Sequence, residues 1–347
     1  IGQPFSGAMS DKYGTAPVMV VGLLLYGLGL ACMSWTTDPV SFTLTAGVMM
    51  GFGLSACSFN LVIGALAKLV PEHMRSIAFG AGTAAGSFGQ FLFAPTTGYL
   101  VQSHGWHATI IAYAILMIFV VIFVPFVATA PNAASTKAAP QQSFGEAMKQ
   151  AFRHKSYLLL VAGFYTCGFQ LGFVTVHFQK YVEESGIEPH VGYWAFALVG
   201  IFNIVGSLYS GWLVTKIPKA WVLSGIYLGR SAGTVLFIML PPTAWSCYLF
   251  GALSGLLWLS TVPPTSSLIG IMFGTRYFST LYGFAFLSHQ IGGFMGLVLS
   301  GWLRDATGSY LAMWWLSIAF GVFSGLVNLP IVEKHVDEVN KTAPAPA

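Results

Sequence analysis

Long apolar runs separated by short polar breaks dominate this chain. Ten of the runs are long enough to cross a membrane as helices, because about 20 apolar residues span the hydrocarbon core. They cover residues 17–35, 42–68, 77–101, 107–128, 157–180, 191–214, 220–240, 245–272, 278–302 and 310–330. Residues 1–9 have the character of the end of an eleventh run. The pattern predicts an all-α integral membrane protein.

One longer polar stretch, residues 129–156, is rich in Ala, Pro, Gln and Lys and divides the runs into two groups. The pattern therefore predicts a helical bundle over residues 1–128, a linker over 129–156, a second bundle over 157–332 and a polar tail over 333–347.

Composition agrees with a lipid environment. Of the 347 residues, 55% are hydrophobic and only 7% are charged, whereas a soluble domain carries about 25% charged residues. The basic residues are scattered singly, without the basic stripe that nucleic-acid binding requires. The composition excludes a soluble protein, and we expect the lipid bilayer and no nucleic acid as partners.

The positions of Lys and Arg predict the orientation of the chain. If the loop at residues 11–17 is cytoplasmic, alternate loops on that side receive twelve basic residues and the opposite side receives two, Lys180 and Arg304. Cytoplasmic loops carry the excess of Lys and Arg. We expect a multi-pass protein of the cytoplasmic membrane, with linker and C-terminus inside the cell.

The two halves also repeat. Four glycines, Gly80, Gly89, Gly98 and Gly105, recur 203 positions later as Gly283, Gly292, Gly301 and Gly308. Gly7 and Lys12 recur 204 positions later as Gly211 and Lys216. Internal repeats of this kind build a solute site between two moving bundles. Segment 157–204 has no counterpart in the first half, so we expect that the first helix and most of the second are missing here.

The first loop carries a recognisable motif. Residues 7–14 read GAMSDKYG, with Gly7, Asp11, Lys12 and Gly14 at the spacing G-x-x-x-D-[RK]-x-G. This spacing resembles the loop between helices 2 and 3 of the major facilitator superfamily. The second copy at Gly211 and Lys216 is degenerate, because Thr215 and Pro218 replace the Asp and the second Gly. The resemblance implies two pseudo-symmetric six-helix bundles, with about eleven of twelve helices here, and alternating access.

We expect the motif residues to gate the cytoplasmic face, since a helix N-terminus favours a carboxylate and Asp11 could cap a neighbouring helix in one state only. An ordinary solvated turn is the alternative.

Two further stretches resemble one branch of that superfamily. They are residues 85–106, from AGSFGQ to GW, and residues 282–310, from YGF through SHQIG to GWLRDATGSY. Both are similar to the monocarboxylate-transporter-like and oxalate/formate-exchanger-like proteins. The fifth-helix motif of drug/proton antiporters is not intact, because only residues 95–98 match it.

Ionisable residues at membrane depth are candidates for function. All eleven acids fall in predicted loops or tails, and the basic residues at depth are His289, Arg230 and, nearer the outer mouth, His177. His289 lies about 18 Å into its helix at 1.5 Å per residue and shares a helical face with Tyr282. The resemblance implies that a basic residue at this position meets a substrate carboxylate.

Each of these residues also has a structural interpretation. His289 could bond a neighbouring hydroxyl or carbonyl, Arg230 could be structural because ninth helices are usually peripheral in this fold, and His177 could line a solvated vestibule. Neutral polar side chains complete the candidate substrate site: Gln290, Gln170, Tyr165, Asn203, Asn60 and Gln90. Hydrogen bonds between helices are the alternative explanation for all of them.

The four cysteines lie inside apolar runs, where we expect them to act as small core residues. Neither a disulfide framework nor a metal-ligand spacing is visible, and we predict no cofactor.

The sequence therefore predicts a monomeric secondary transporter of a small organic anion, most simply a carboxylate, with no enzymatic activity. An anion beside His289 would favour the protonated imidazole, so a proton could travel with it. An anion exchanger, another small solute and a non-transporting sensor stay open as alternatives. An intramembrane enzyme would need paired acids or a His-x-x-x-His motif, and neither is present.

Overall fold

The computed structural model describes residues 1–130 and 142–338, with the backbone alone at positions 94, 95 and 98. The α-helices in chain order are α1 (Gln3–Tyr13), α2 (Thr15–Met33), α3 (Pro39–Phe42), α4 (Met50–Ala56), α5 (Phe59–Leu69), α6 (Arg75–Val120), α7 (Phe144–Arg153), α8 (Lys155–Glu184), α9 (Pro189–Leu213), α10 (Lys219–Met239), α11 (Ala244–Leu257), α12 (Val262–Phe273), α13 (Phe278–Thr307) and α14 (Leu311–Asn328). A π-helical segment, Thr43–Met49, joins α3 to α4. Two 3-10 helices, Glu72–Met74 and Val121–Val127, flank α6.

Nine helical segments of the described chain are long and apolar enough to cross a membrane. They are Thr15–Met33, Pro39–Leu69, Tyr99–Val127, Lys155–Glu184, Pro189–Leu213, Lys219–Met239, Ala244–Phe273, Phe278–Thr307 and Leu311–Asn328. Each coincides with a predicted run to within several residues, and the remaining predicted run, 77–101, forms the first part of α6. Large apolar side chains cover the outside, as at Trp245, which is 81% exposed. The predicted all-α membrane fold is confirmed.

The described chain divides into two compact units. Unit 1 comprises Ile1–Glu72, Gly89–Phe144 and Thr275–Phe284. Unit 2 comprises His73–Phe88, Gly145–Gly274 and the residues from Ala285 onward. Relative to these units, the predicted bundles 1–128 and 157–332 differ by the segments 73–88 and 275–284, so the bundle boundaries stay a prediction.

The predicted linker and tail are only partly described. Residues 131–141 and 339–347, with Lys137 and Lys341, lie outside the described residues. The described end of the linker folds as the amphipathic helix α7, which buries Ala147 and Ala151.

Glycines of the repeat allow two helices to cross closely within unit 1. A Cβ atom at Gly7 of α1 would lie 2.3 Å from the Ser279 carbonyl oxygen, at the start of α13. A Cβ atom at Gly64 of α5 would lie 2.3 Å from the Ser279 hydroxyl. A side chain at Gly7 would require the neighbouring backbone to move, and one at Gly64 would displace the Ser279 hydroxyl.

Unit 2 contains the same crossing at the equivalent positions. A Cβ atom at Gly211 of α9 would lie 2.8 Å from the Ser76 carbonyl oxygen at the start of α6. The Ser76 hydroxyl lies 2.8 Å from that of Ser267 on α12. These three residues stand 203 or 204 positions from their counterparts in unit 1. The repeat in the sequence is therefore a repeat of helix crossings.

A second pair of repeated glycines ends helices in the left-handed backbone region. Gly105 interrupts α6 with φ of 79°, and Gly308 follows α13 with φ of 73°. Residues with a side chain rarely adopt this conformation, which explains why glycine stands at both copies.

Two of the predicted spans contain internal breaks. One lies between α4 and α5 at residues 57–58, and the other between α11 and α12 at residues 258–261. They stand at equivalent points of the repeat, about 203 positions apart. A sequence signal exists for the second break, because Pro263 and Pro264 lie in the first turn of α12, where proline is tolerated. A break at membrane depth exposes backbone groups that need partners.

Candidate functional site

The carboxylate of Asp11 caps the start of α13 inside unit 1. One oxygen, Oδ2, accepts hydrogen bonds from the Thr280 backbone N–H at 2.8 Å and from its hydroxyl at 2.7 Å. The other, Oδ1, lies 2.8 Å from Lys68 Nζ. Asp11 is 1% exposed. A helix N-terminus carries unpaired N–H groups and a partial positive charge, which a carboxylate stabilises.

The other motif residues have simpler surroundings. Lys12 is exposed and its ammonium lies 4.9 Å from the centre of the Tyr13 ring. Gly14 joins α1 to α2 with φ of 88°. Gly211 lies at the crossing in unit 2, and Lys216 is exposed just after α9.

The sequence interpretation missed both partners of Asp11. Lys68 is the only basic residue in the last turn of α5, and this position was the available signal. The counterpart of Asp11 in unit 2 is Thr215, whose side chain carries no charge.

Arg230 occupies the break between α11 and α12. Its Nε donates to the Leu257 carbonyl at 3.0 Å, and its Nη2 donates to the same carbonyl at 2.7 Å and to that of Trp258. These carbonyls belong to the end of α11, where a cation is favourable. Arg230 is 8% exposed. Its repeat counterpart in unit 1 is Tyr26, so the two breaks are stabilised differently.

Asn203 braces the same break from α9. Its Oδ1 accepts the Leu259 N–H at 2.9 Å and its Nδ2 donates to the Ser87 hydroxyl at 2.7 Å. Ser210 donates to the Ser260 carbonyl at 2.6 Å. Asn203 is fully buried, so its observed contacts are those of a structural amide.

Two residues of α8 extend this polar cluster. Gln170 accepts a hydrogen bond from Arg230 Nη1 at 3.3 Å and donates to the Ser317 carbonyl at 3.0 Å. The Cys167 sulfur lies 3.7 Å from Arg230 Nη2 and 3.4 Å from the Thr261 hydroxyl. The sequence interpretation treated Cys167 as a small apolar residue, whereas the folded chain places it between polar groups.

His289 of α13 lies against α8, where a Cβ atom at Gly168 would meet its carbonyl oxygen. Its Nδ1 lies 3.2 Å from Gln290 Oε1. The rings of Phe164 and Phe286 lie 5.1 and 5.3 Å from the imidazole ring. His289 is 9% exposed. The imidazole therefore faces the interior of unit 2 rather than lipid.

A stripe of glycines lets α8 and α13 approach each other closely beside His289. A Cβ atom at Gly168 of α8 would lie 1.7 Å from the His289 carbonyl oxygen, and one at Gly172 would lie 2.3 Å from that of Gly293. On the opposite helix, a Cβ atom at Gly292 would lie 2.1 Å from the Tyr165 carbonyl oxygen. The helices α8 and α13 are thus in backbone contact.

The remaining candidates lie in both units. In unit 1, Tyr282 is fully buried beside Phe278, whereas Gln90 is exposed. Asn60 is fully buried next to the break at 57–58, where its Oδ1 accepts the Ser58 hydroxyl at 2.5 Å.

In unit 2, Gln290 is exposed apart from its contact with His289, and the Tyr165 ring lies 5.6 Å from Phe320. His177 has partners at both nitrogens, the Tyr310 hydroxyl at 3.1 Å and the Leu297 carbonyl at 3.2 Å. Substrate contact by all of these residues stays a prediction.

Over the described parts of the chain, no three His, Cys, Asp or Glu side chains converge as a metal site would require. The eleven acids all lie near helix ends or in the segments between helices. The positive groups at depth in unit 2 therefore have no carboxylate beside them.

Comparison with known proteins gives a consistent family. A family model described as Major Facilitator Superfamily matches residues 1–297 and 178–346. Monocarboxylate transporter 13 of Rattus norvegicus is 25% identical over 347 residues, covering 95% of this chain and 76% of the relative. An uncharacterised MFS-type transporter, YcxA of Bacillus subtilis, is 24% identical and covers 96% of this chain and 83% of its own.

Solved structures show the same fold. The fucose:proton symporter FucP of E. coli superimposes with a TM-score of 0.76 at 16% identity, over 94% of this chain and 86% of FucP. A double tryptophan mutant of XylE superimposes with a TM-score of 0.71 at 14% identity, over 98% and 86%.

Proposed function

This chain belongs to the major facilitator superfamily and is a membrane transporter rather than an enzyme, and on that premise we propose that it moves a small organic anion, most simply a monocarboxylate, together with a proton. Alternating access fits its structural relatives. The observation that carries the anion proposal is that unit 2 buries two basic side chains, Arg230 and His289, and that no ion pair joins either of them to an acid among the described residues.

The electrostatic argument has two steps. Arg230 keeps its charge at every accessible pH, and backbone carbonyls are dipoles that orient this charge without cancelling it. A buried positive charge gives a field that favours an anion. His289 can gain a second positive charge when the anion arrives, because a nearby negative charge favours the protonated imidazole.

The names of the relatives support the same solute class. Several curated relatives carry the name monocarboxylate transporter, at 21–25% identity over at least 90% of this chain. At this identity the name supports a class of solute and does not identify one compound.

A solute panel tests the proposal directly. Purified full chain in detergent is heated with lactate, with uncharged lactamide or with methylammonium, all at equal ionic strength. A ligand that binds only the folded state raises the melting temperature. We expect lactate alone to stabilise the protein. His289→Ala should weaken this response about tenfold, because a hydrogen bond to a charged group contributes about 1.5–3 kcal/mol.

The matched control is His190→Ala. His190 lies in the same unit, with its side chain 58% exposed beside Glu188, and its loss should leave the lactate response unchanged. Equal stabilisation of wild type and His289→Ala by lactate would refute the assignment of His289.

The proposal includes placement in the cytoplasmic membrane, as a monomer, with α7 inside the cell and the α8–α9 loop outside. A membrane-impermeant maleimide should label Glu188→Cys in intact cells. It should label Lys149→Cys only after permeabilisation. The reverse labelling pattern would overturn the orientation that the Lys and Arg distribution predicts.

A further inference from the structure

His154 forms the junction between α7 and α8. Its backbone is extended, with φ of −84° and ψ of 110°, so α7 ends before it and α8 begins after it. Its N–H donates to the Ala151 carbonyl at 3.0 Å, and its own carbonyl accepts the N–H groups of Tyr157 at 3.0 Å and Leu158 at 3.1 Å. The backbone of this one residue therefore connects the last turn of α7 to the first turn of α8.

The His154 side chain is buried without a polar partner. It is 7% exposed, and neither ring nitrogen has a hydrogen-bond partner among the residues that the structure describes. The imidazole instead packs edge-on against Phe273 of α12, with ring centres 5.6 Å apart. Phe273 also meets the Tyr157 ring at 5.3 Å. Buried polar groups normally have partners, and a charge in such a site is more costly than a neutral ring.

The charged residues nearby do not offset a positive charge on this ring. Arg153 and Lys155, the chain neighbours of His154, are both exposed, and α12 has no titratable residue. The titratable residues of the other neighbouring segments are Glu146 and Lys149 of α7, Tyr157 of α8, and Glu333, Lys334, His335, Asp337 and Glu338 after α14. Within the described chain, none of these acids forms an ion pair with His154.

The imidazole is also the largest group on the buried face of α7. The buried residues of that helix are Ala147 and Ala151, and His154 continues their row at a spacing of four and then three residues. Two methyl groups and one imidazole thus make up this face. A change in the charge of the imidazole therefore has a large effect on how α7 docks.

Burial lowers the pKa of the His154 imidazole below its ordinary value. Release of α7 would return the ring to water, where its pKa is about 6.5. The released state consequently binds the proton more tightly than the docked state does. Docking is fully stable above that pH, and it weakens by up to about tenfold for each pH unit below it.

We propose that α7 is an acid-sensitive regulatory helix, which docks on unit 2 while His154 is neutral and is released, slowing transport, when the ring gains a proton. Transport slows because His154 also begins α8, the helix whose backbone contacts α13 at Gly168. A transporter that brings in a proton with each anion acidifies the side on which α7 lies, so the release acts as negative feedback. The feedback rests on the proposed function, whereas the release of α7 does not.

Hydrogen exchange of the α7 amides tests the release without any solute. The full chain is studied in lipid nanodiscs between about pH 5.5 and pH 7.5, where histidine titrates, with the amides of α10 as an internal reference for the chemical exchange rate. In wild type, the protection of α7 relative to α10 should be constant above about pH 7 and fall by up to about tenfold per pH unit below about pH 6.5. His154→Leu keeps an uncharged side chain in the site and should hold this ratio constant.

The matched control is His335→Leu. His335 follows α14 in the same unit, with its side chain 44% exposed beside Asp337, so this variant should respond to pH as wild type does. A constant ratio in wild type would overturn the proposal, and so would a pH response of His154→Leu as large as that of wild type. If His154→Leu fails to fold, the wild-type titration and the His335→Leu control decide.

The effect on transport is measured as exchange of labelled lactate across proteoliposomes at equal pH on both sides, so that neither a gradient nor the orientation of the protein affects the comparison. Wild type and His154→Leu should exchange lactate at the same rate at about pH 7.5, and wild type should be severalfold slower at about pH 5.5. Equal rates at both pH values would refute the slowing of transport. If neither protein exchanges lactate, the proposed function fails, and hydrogen exchange still decides whether acid releases α7.

Discussion

Asp11→Asn should lower carboxylate uptake about tenfold to a hundredfold while leaving a folded protein. The Asp11 carboxylate accepts hydrogen bonds from Thr280 and from Lys68 within 2.8 Å at 1% exposure. Asparagine retains one oxygen but loses the charge that stabilises both the helix N-terminus and the ammonium. Hydrogen bonds to charged groups contribute about 1.5–3 kcal/mol, which corresponds to this range in an equilibrium constant.

Two controls make this result specific. Asp38→Asn changes the same residue type at an exposed cap, where hydrogen bonds from the Ser41 hydroxyl and backbone lower the pKa of the Asp38 carboxyl. Asparagine is also a good N-cap, so uptake should stay at the wild-type rate.

Lys68→Met should impair uptake as well. The double variant should be no worse than Asp11→Asn, because the effects of coupled residues are not additive. Additive losses would show that Asp11 and Lys68 act separately.

Gly168→Ala should have the largest effect on stability. The new methyl group would lie 1.7 Å from the His289 carbonyl oxygen. The helices α8 and α13 would therefore have to move apart where their backbones are in contact. Overpacking of this kind costs about 1–3 kcal/mol and occasionally more. We expect a lower melting temperature and loss of the lactate response, since the same separation displaces His289, whose carbonyl oxygen lies at this crossing.

Gly225→Ala is the matched control. Gly225 lies in α10, in the same unit, and no atom lies within 4 Å of a Cβ built there. Alanine is favoured over glycine in a helix by about 0.5–1 kcal/mol, so this variant should be as stable as wild type or more so. If Gly168→Ala were equally harmless, the close contact between the two helices would not exist as described.

Much of the fold follows from the sequence because lipid imposes a simple rule. A segment that crosses hydrocarbon must be apolar and helical, so hydropathy locates each of the nine membrane-crossing segments, such as Lys219–Met239, to within several residues. The repeat of glycines also carried structural meaning. At Gly7 and at Gly211, a Cβ atom would lie within 3 Å of the backbone at the start of another helix. Close approach of backbones needs a residue without a side chain, and this need is visible in the sequence.

The breaks inside two of the spans were harder to predict from the sequence. The spans containing residues 57–58 and 258–261 are as hydrophobic as an unbroken helix, and average hydropathy contains no information on hydrogen bonding. The partners that stabilise the second break, Arg230 and Asn203, come from helices distant in sequence. The linker over residues 129–156 was predicted from its Ala, Pro, Gln and Lys content, which did not indicate that its described end folds as helix α7 and buries Ala147 and Ala151.

The candidate site, too, could be predicted from the sequence only in part. Asp11 as a helix cap could be proposed because its charge and its motif point to that role. Its partners Lys68 and Thr280 could not be predicted, because they depend on which helices pack together in the folded chain. For Cys167, the surroundings expected from the sequence differ from those in the folded chain. A cysteine in an apolar run is usually a small core residue, and only the folded chain reveals Arg230 and Thr261 beside its thiol.

Uptake of labelled lactate into proteoliposomes tests the central claim most directly. The full chain is reconstituted, the outside is made more acidic than the inside, and protein-free liposomes correct for passive entry. The account predicts that lactate accumulates above its external concentration, that a protonophore abolishes this accumulation, and that His289→Ala does not show it. Uptake that ignores the pH gradient and requires a carboxylate trapped inside would instead identify an exchanger, and the absence of any protein-dependent uptake would contradict carboxylate transport altogether.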